Sequence, residues 1–168
     1  MILDVRITKT GGQGSIAMQG ASISVILIGR TAYLKMSDTF WRQQTSSKAE
    51  ADALLDLIDG RWIKTTLTNK ELGDLALFAS KPKFFDTLFE GTGPVRKTPV
   101  RTVNGVTSIG LRDSEGILWV DTATARPVRL EVPGETGTDA LTFTEYNQVT
   151  APKAPPADQV IDGKALGL

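Results

Sequence analysis

The sequence predicts an α+β fold in which one antiparallel sheet carries a helical insertion on one face. Apolar residues alternate with period two in the first and last thirds, and they recur every three or four residues in the middle third. The connections between the strands are too short for parallel pairing, which needs a long crossover. The 168 residues, 40% hydrophobic and 23% charged, suit a single globular domain over residues 1–168.

The first third predicts an antiparallel meander. Residues 2–8 alternate apolar and polar side chains, as a strand with one solvated face does. We expect a turn from Thr10 to Gly14, and Gly29-Arg30 is a two-residue hairpin loop of the glycine-first kind. The expected strands are residues 2–8, 15–19, 21–28 and 31–37.

Two capping boxes predict helices in the middle third. Ser47 and Glu50 have the spacing at which each side chain satisfies a free amide of the other, which predicts a helix over residues 47–59. Thr68 and Glu71 repeat that spacing, and the apolar residues behind them predict short helices over residues 69–90. Both helical segments are expected to pack on the same side of the sheet.

The last third returns to strands. Asn104-Gly105 is a strong hairpin signal between residues 96–103 and 106–113. Further strands are expected at residues 117–121, 128–132 and 141–146, with Val128, Leu130 and Val132 directed into the core. The Pro- and Ala-rich tail, residues 151–168, should run extended along the surface.

Composition excludes several function classes. Lys and Arg number 19 and so do Asp and Glu, so the chain lacks the basic excess that nucleic-acid binding needs. Histidine and cysteine are absent, which removes the commonest general base, zinc ligands, thiol nucleophiles and disulfides. Asp52, Asp56 and Asp59 share a helix face, which a solvated surface explains better than a metal site does. We therefore expect no enzyme, no metal and no cofactor.

Several segments occur in an order that resembles a known family. They are Ile28-Gly29-Arg30-Thr31-Ala32-Tyr33-Leu34, Phe40-Trp41, Gly60-Arg61-Trp62, Thr102-Val103-Asn104-Gly105-Val106, Leu118-Trp119-Val120-Asp121, Arg126-Pro127-Val128-Arg129-Leu130, Val149-Thr150-Ala151-Pro152 and Asp158-Gln159-Val160-Ile161-Asp162. The order resembles that of the actinobacterial lipoproteins of the LppX/LprG type, which are similar in fold to the LolA and LolB lipoprotein carriers. The resemblance covers nearly the whole chain.

That resemblance implies a strongly curved antiparallel half-barrel with short helices on its concave face and an apolar cavity between the two layers. It also implies a secreted lipoprotein, held outside the cytoplasm at the cell membrane by a lipidated cysteine upstream of this sequence, where a signal peptide and lipobox would be removed. Known family members bind lipids or acylated glycolipids and help to move them across the cell envelope, while others, with which this chain could belong, have no assigned ligand. We expect a monomer that binds such a lipid through this cavity and binds no nucleic acid.

Strand parity and helix periodicity select the residues expected to line the cavity. They are Ile23, Val25, Leu27, Leu54, Leu55, Ile58, Leu75, Phe78, Phe85, Leu88, Ile109 and Leu111. The alternative is a structural or interaction domain whose core is filled by these same side chains. For Trp41, Trp62 and Trp119 we expect packing in the protein interior in preference to contact with the cavity or the membrane.

Overall fold

The computed structural model describes residues 2–66, 81–88, 93–134 and 137–166. Its elements, in chain order, are β1 (Ile2–Ile7), β2 (Gly11–Met18), β3 (Ala21–Ile28), β4 (Thr31–Met36), α1 (Asp38–Gln44), α2 (Lys48–Ile58), β5 (Trp62–Thr66), α3 (Lys81–Leu88), β6 (Arg96–Lys97), β7 (Arg101–Val103), β8 (Val106–Arg112), β9 (Ile117–Asp121), β10 (Pro127–Gly134), β11 (Gly137–Thr142) and β12 (Val160–Asp162). No helix in these ranges is long and apolar enough to cross a membrane. The predicted α+β class with mainly antiparallel pairing is confirmed.

The chain divides into two compact units. Unit 1 comprises Met1–Leu88 and Val149–Leu168, and unit 2 comprises Phe89–Gln148. Sheet 1 belongs to unit 1 and has the strand order β1-β2-β3-β4-β5-β12, and sheet 2 belongs to unit 2 and has the order β11-β10-β9-β8-β6, with β7 also paired to β8. The predicted single antiparallel sheet is therefore wrong for the described residues. Neither sheet closes on itself, and half-barrel curvature stays a prediction.

Sheet 1 buries one face, and its register follows the predicted alternation. Val25 pairs with Leu34 and Leu34 pairs with Ile63, so these side chains lie on one face across three strands. Leu27 on the same face is 1% exposed and Ala32 beside it is fully buried. The hairpin loop at Gly29-Arg30 is confirmed by the pairing of Ile28 with Thr31. The predicted apolar face of this meander is thus the core of unit 1.

The predicted turn over Thr10–Gly14 is wrong, because β2 already begins at Gly11. A Cβ added at Gly11 would overlap the carbonyl oxygen of Leu27, and one added at Gly14 would overlap that of Asp4. Glycine at these two positions therefore permits the close approach of neighbouring strands, and the chain reverses its direction before Gly11. There Thr8 donates its amide to the carbonyl oxygen of Gly11 over 2.8 Å.

The serine half of the capping box predicted for α2 is confirmed, but Glu50 binds the amide of the residue before Ser47. The Ser47 hydroxyl oxygen accepts the amide of Glu50 over 3.2 Å, and the Glu50 carboxylate accepts the amide of Ser46 over 3.1 Å. The helix ends where Asp59 and Gly60 adopt positive φ values of 49° and 62°. The helix α1 was not predicted, although the Ser37 hydroxyl oxygen caps it by accepting the amide of Phe40.

The second predicted helical segment is only partly within the described residues. α3 covers Lys81–Leu88, inside the predicted range of residues 69–90, while residues 69–80 and 89–90 lie outside the described residues. α1 contacts both α2 and β3. Placement of the helices on a concave face stays a prediction.

The C-terminal tail is more structured than the sequence predicted. Residues 151–156 run without helix or strand, but Ala157–Gln159 forms a 3₁₀ turn and Gly163–Leu166 forms another. Between them β12 pairs in parallel with β5, where Ile161 lies beside Ile63. This departs from the expectation that all pairing is antiparallel. A strand from the far end of the chain can reach β5 in either direction, because no short loop joins the two.

Sheet 2 is built on the predicted hairpins. Asn104 and Gly105 have positive φ values of 49° and 80° and join β7 to β8, which confirms the hairpin. The strand predicted over residues 96–103 is divided into β6 and β7, with Pro99 between them. The strand predicted at residues 141–146 lies earlier, at Gly137–Thr142. A register shift between Pro127 and Arg129 leaves Val128 in the cluster of Val103 and Trp119.

Candidate functional site

One face of sheet 2 carries aliphatic side chains on four adjacent strands. Leu111 of β8 pairs with Leu118 of β9, Leu118 pairs with Leu130 of β10, and Leu130 pairs with Leu141 of β11. Paired residues project to the same side of a sheet. We call this surface the aliphatic face, and its members are Ile109, Leu111, Leu118, Val120, Leu130, Val132 and Leu141. All seven are half-buried, so none is sealed in a core.

The turns that flank β8 fix the register of this face. The Asp113 carboxylate accepts the amides of Glu115 and Gly116, each over 2.9 Å, which closes the turn between β8 and β9. The Asn104-Gly105 turn fixes β7 against β8. Because a shift of one residue would move every side chain to the other side, these two turns determine that Ile109 and Leu111 belong to the aliphatic face.

The opposite face of sheet 2 is centred on a buried tryptophan. Trp119 is 3% exposed, and the Arg101 guanidinium lies 3.8 Å from the centre of its ring. The indole N–H donates to the Glu131 carboxylate over 3.0 Å, and that carboxylate also accepts a hydrogen bond from Arg129 over 2.9 Å. The indole hydrogen bond is the main cause of a lowered pKa at Glu131, assisted by Arg129 and Arg101. Trp119 is a packing residue, as the sequence predicted.

In unit 1, three of the predicted lining residues are core residues. Val25 is 6% exposed, Leu27 is 1% exposed and Ile58 of α2 is 4% exposed, while Ile23 is half-buried beside them. A shallow apolar recess lies over Gly14 of β2, with a volume of about 10 Å³. That volume admits about one water molecule and no acyl chain. Among the described residues, Val25 and Leu27 below this recess are packed as core residues.

Four further predicted residues lie on the helices. Leu54 and Leu55 of α2 are half-buried, as are Phe85 and Leu88 of α3. Leu75 and Phe78 lie outside the described residues. On the strands, one face of sheet 1 brings together Ile23, Val25 and Leu27, and one face of sheet 2 brings together Ile109 and Leu111.

Five members of the aliphatic face were not predicted to belong to a site. They are Leu118, Val120, Leu130, Val132 and Leu141. The apolar alternation within each strand was visible in the sequence, but the assignment of these residues to this face depends on the register of successive strand pairs. Val128 was expected to share the face of Leu130, but the bulge beside it places Val128 with Trp119.

The described residues offer no arrangement for metal binding. No group of three or more acidic, histidine or cysteine side chains comes together in residues 2–66, 81–88, 93–134 and 137–166. On α2, Asp52 accepts a hydrogen bond from Arg42 of α1 over 2.8 Å, with both side chains 45% exposed. This is an ion pair at the surface between two helices, as a solvated helix face permits.

Comparison with family models, with curated proteins and with solved structures finds no match to this chain.

Proposed function

We propose that this protein is a non-catalytic lipid-binding domain that takes up the acyl chains of a lipid or acylated glycolipid on the aliphatic face of sheet 2. The observation that carries the proposal is that all seven aliphatic side chains of this face are half-buried. Burying apolar surface is favourable, and each acyl CH₂ that leaves water contributes about 0.8 kcal/mol. A contiguous apolar surface of this kind is a common feature of binding sites.

The resemblance to the LppX/LprG-type lipoproteins supports the wider setting of this proposal. In that setting the protein acts outside the cytoplasm as a monomer, is held at the membrane by a lipid anchor, and carries lipid across the envelope. The role needs no catalytic group, and the sequence contains neither histidine nor cysteine.

Native mass spectrometry of the purified full chain is the direct test. Extra mass that disappears after organic extraction supports the proposal, and an unliganded mass with no uptake of added fatty acid contradicts it. To place the ligand, we would compare Leu118→Asn with Val100→Asn, which changes an aliphatic residue that is 54% exposed and lies outside the aliphatic face. Leu118→Asn should weaken binding of a fluorescent fatty acid about 10-fold, because it removes most of a leucine contact. The Val100 variant should bind like the unaltered protein.

A second candidate function rests on the packing of unit 1. Val25, Leu27 and Ile58 are buried among the described residues, and this favours a structural or interaction domain with a self-filled core. Under that reading the Leu118→Asn variant loses stability, while the protein binds no fatty acid before or after the substitution.

A further inference from the structure

The margin of the aliphatic face carries the basic side chain of Lys97. Lys97 of β6 pairs with Leu111 of β8, so its side chain lies on the same side of the sheet as the aliphatic face. The preceding residue, Arg96, pairs with Arg112 and therefore lies on the opposite side. Lys97 is exposed, and in the part of the chain that the structure describes its side chain takes part in no ion pair or hydrogen bond. Its ammonium group is available to a ligand.

The charges on this side of the sheet are asymmetric. Among the strand residues of β6 and β8–β11 that share the aliphatic face, the charged ones are Lys97 and Asp139. Asp139 pairs with Val132 and lies on the edge strand β11, four strand spacings or about 19 Å from β6. Asp113, which follows β8, is engaged by two amides of its own turn. The aliphatic face therefore has a positive side chain at its β6 margin and a negative side chain at its β11 margin.

We propose that Lys97 binds the anionic head of the lipid and makes this site selective for anionic over uncharged amphiphiles. The inference rests on the proposed function, because it assigns a head-group site next to the surface that holds the acyl chains. An ammonium group donates to carboxylate or phosphate oxygens in any orientation, so the shared ligand chemistry is an anionic oxygen. Asp139 repels such a head at the far margin, so the acyl chain extends from β6 toward β11.

The test measures affinity for a fluorescent fatty acid and for its uncharged methyl ester at pH 8 and low salt, with the full chain. The unaltered protein should bind the acid about 10-fold more tightly than the ester. Lys97→Gln should reduce this ratio to near one by lowering the affinity for the acid, and Lys97→Arg should keep the preference. Arg96→Gln removes the same charge from the same strand on the opposite face and should keep the ratio. Competition by dodecanoate and by dodecyl phosphate then distinguishes a carboxylate head from a phosphate head.

The outcomes separate the two proposals. If the unaltered protein binds neither probe, the proposed function fails and the head-group site fails with it. If it binds acid and ester equally, or if Lys97→Gln keeps the preference, lipid binding stands and the role of Lys97 is refuted. An equal loss of preference in the Lys97 and Arg96 variants also refutes it, because net charge alone would then explain the selectivity.

Discussion

The carboxylate of Glu131 offers the sharpest test of how sheet 2 is held together. It accepts hydrogen bonds from the Trp119 indole over 3.0 Å, from Arg129 over 2.9 Å and from Arg101 over 3.4 Å, and its side chain is 19% exposed. Glu131→Gln keeps an oxygen that can accept from Trp119 but removes the negative charge facing both arginines. Hydrogen bonds to charged groups contribute about 1.5–3 kcal/mol, and exposed ion pairs contribute about 0–1 kcal/mol. Because one bond survives and the Arg101 pair is exposed, we expect a loss of about 1–2 kcal/mol at pH 7.

The effect should depend on pH in a defined direction. The pKa of Glu131 is lowered in the folded protein, so its ionised form stabilises the fold above the ordinary pKa of a glutamate. That contribution is lost as the pH falls through the lowered pKa, where the unaltered protein also carries a neutral side chain. The difference between the two proteins should therefore be constant above about pH 5.5 and shrink steadily at lower pH.

The assay is urea unfolding followed by tryptophan fluorescence, in a background where Trp41 and Trp62 are replaced by Phe so that Trp119 is the reporter. Glu115→Gln is the matched control. Glu115 is exposed in the turn between β8 and β9 and has no arginine partner among the described residues. The control should change the free energy of unfolding by less than about 0.5 kcal/mol. A Glu131 variant that matches this control at pH 7, or whose deficit is the same at pH 3, would refute the reasoning.

Three further predictions concern backbone features and use the same unfolding measurement. Gly14→Ala should lower the free energy of unfolding by more than about 2 kcal/mol, because the added methyl overlaps main-chain atoms that cannot move aside. Gly93→Ala meets nothing within 4 Å and should change that free energy by less than about 0.5 kcal/mol. Equal effects of the two substitutions would contradict this. Asn104→Ala should cost about 1 kcal/mol because alanine resists the positive φ of 49° at that position, and a neutral result would mean that the turn does not constrain the hairpin. Ser47→Ala should cost about 1 kcal/mol through loss of the α2 cap, whereas Ser47→Asp should restore most of it; failure of Asp to rescue would contradict a capping role.

Periodicity and turn chemistry made much of the local structure predictable. The alternation that places Val25 and Leu27 on one face, the hairpin at Asn104-Gly105 and the cap at Ser47 each depend on residues close together in the chain. For the same reason the sequence placed Ile109 and Leu111 on one face of their strand. It could not show that Leu118, Leu130 and Leu141 extend that face, because this depends on the register of three successive strand pairs.

The sequence by itself determined the α+β class, the antiparallel hairpins and the apolar parity of the strands, since short connections and side-chain period leave few alternatives. Tertiary structure alone decided that the strands divide into two sheets, because that depends on which distant segment pairs with a free edge. The edge of β5 is taken by Val160–Asp162 from the other end of the chain. Tertiary structure also decided the bulge beside Val128 and the close approach at Gly11, because each depends on how a neighbouring strand pairs. The site depends on both. Local alternation fixed the side of its own strand on which each of Lys97 and Leu111 lies, and the pairing of β6 with β8 brought the two residues side by side.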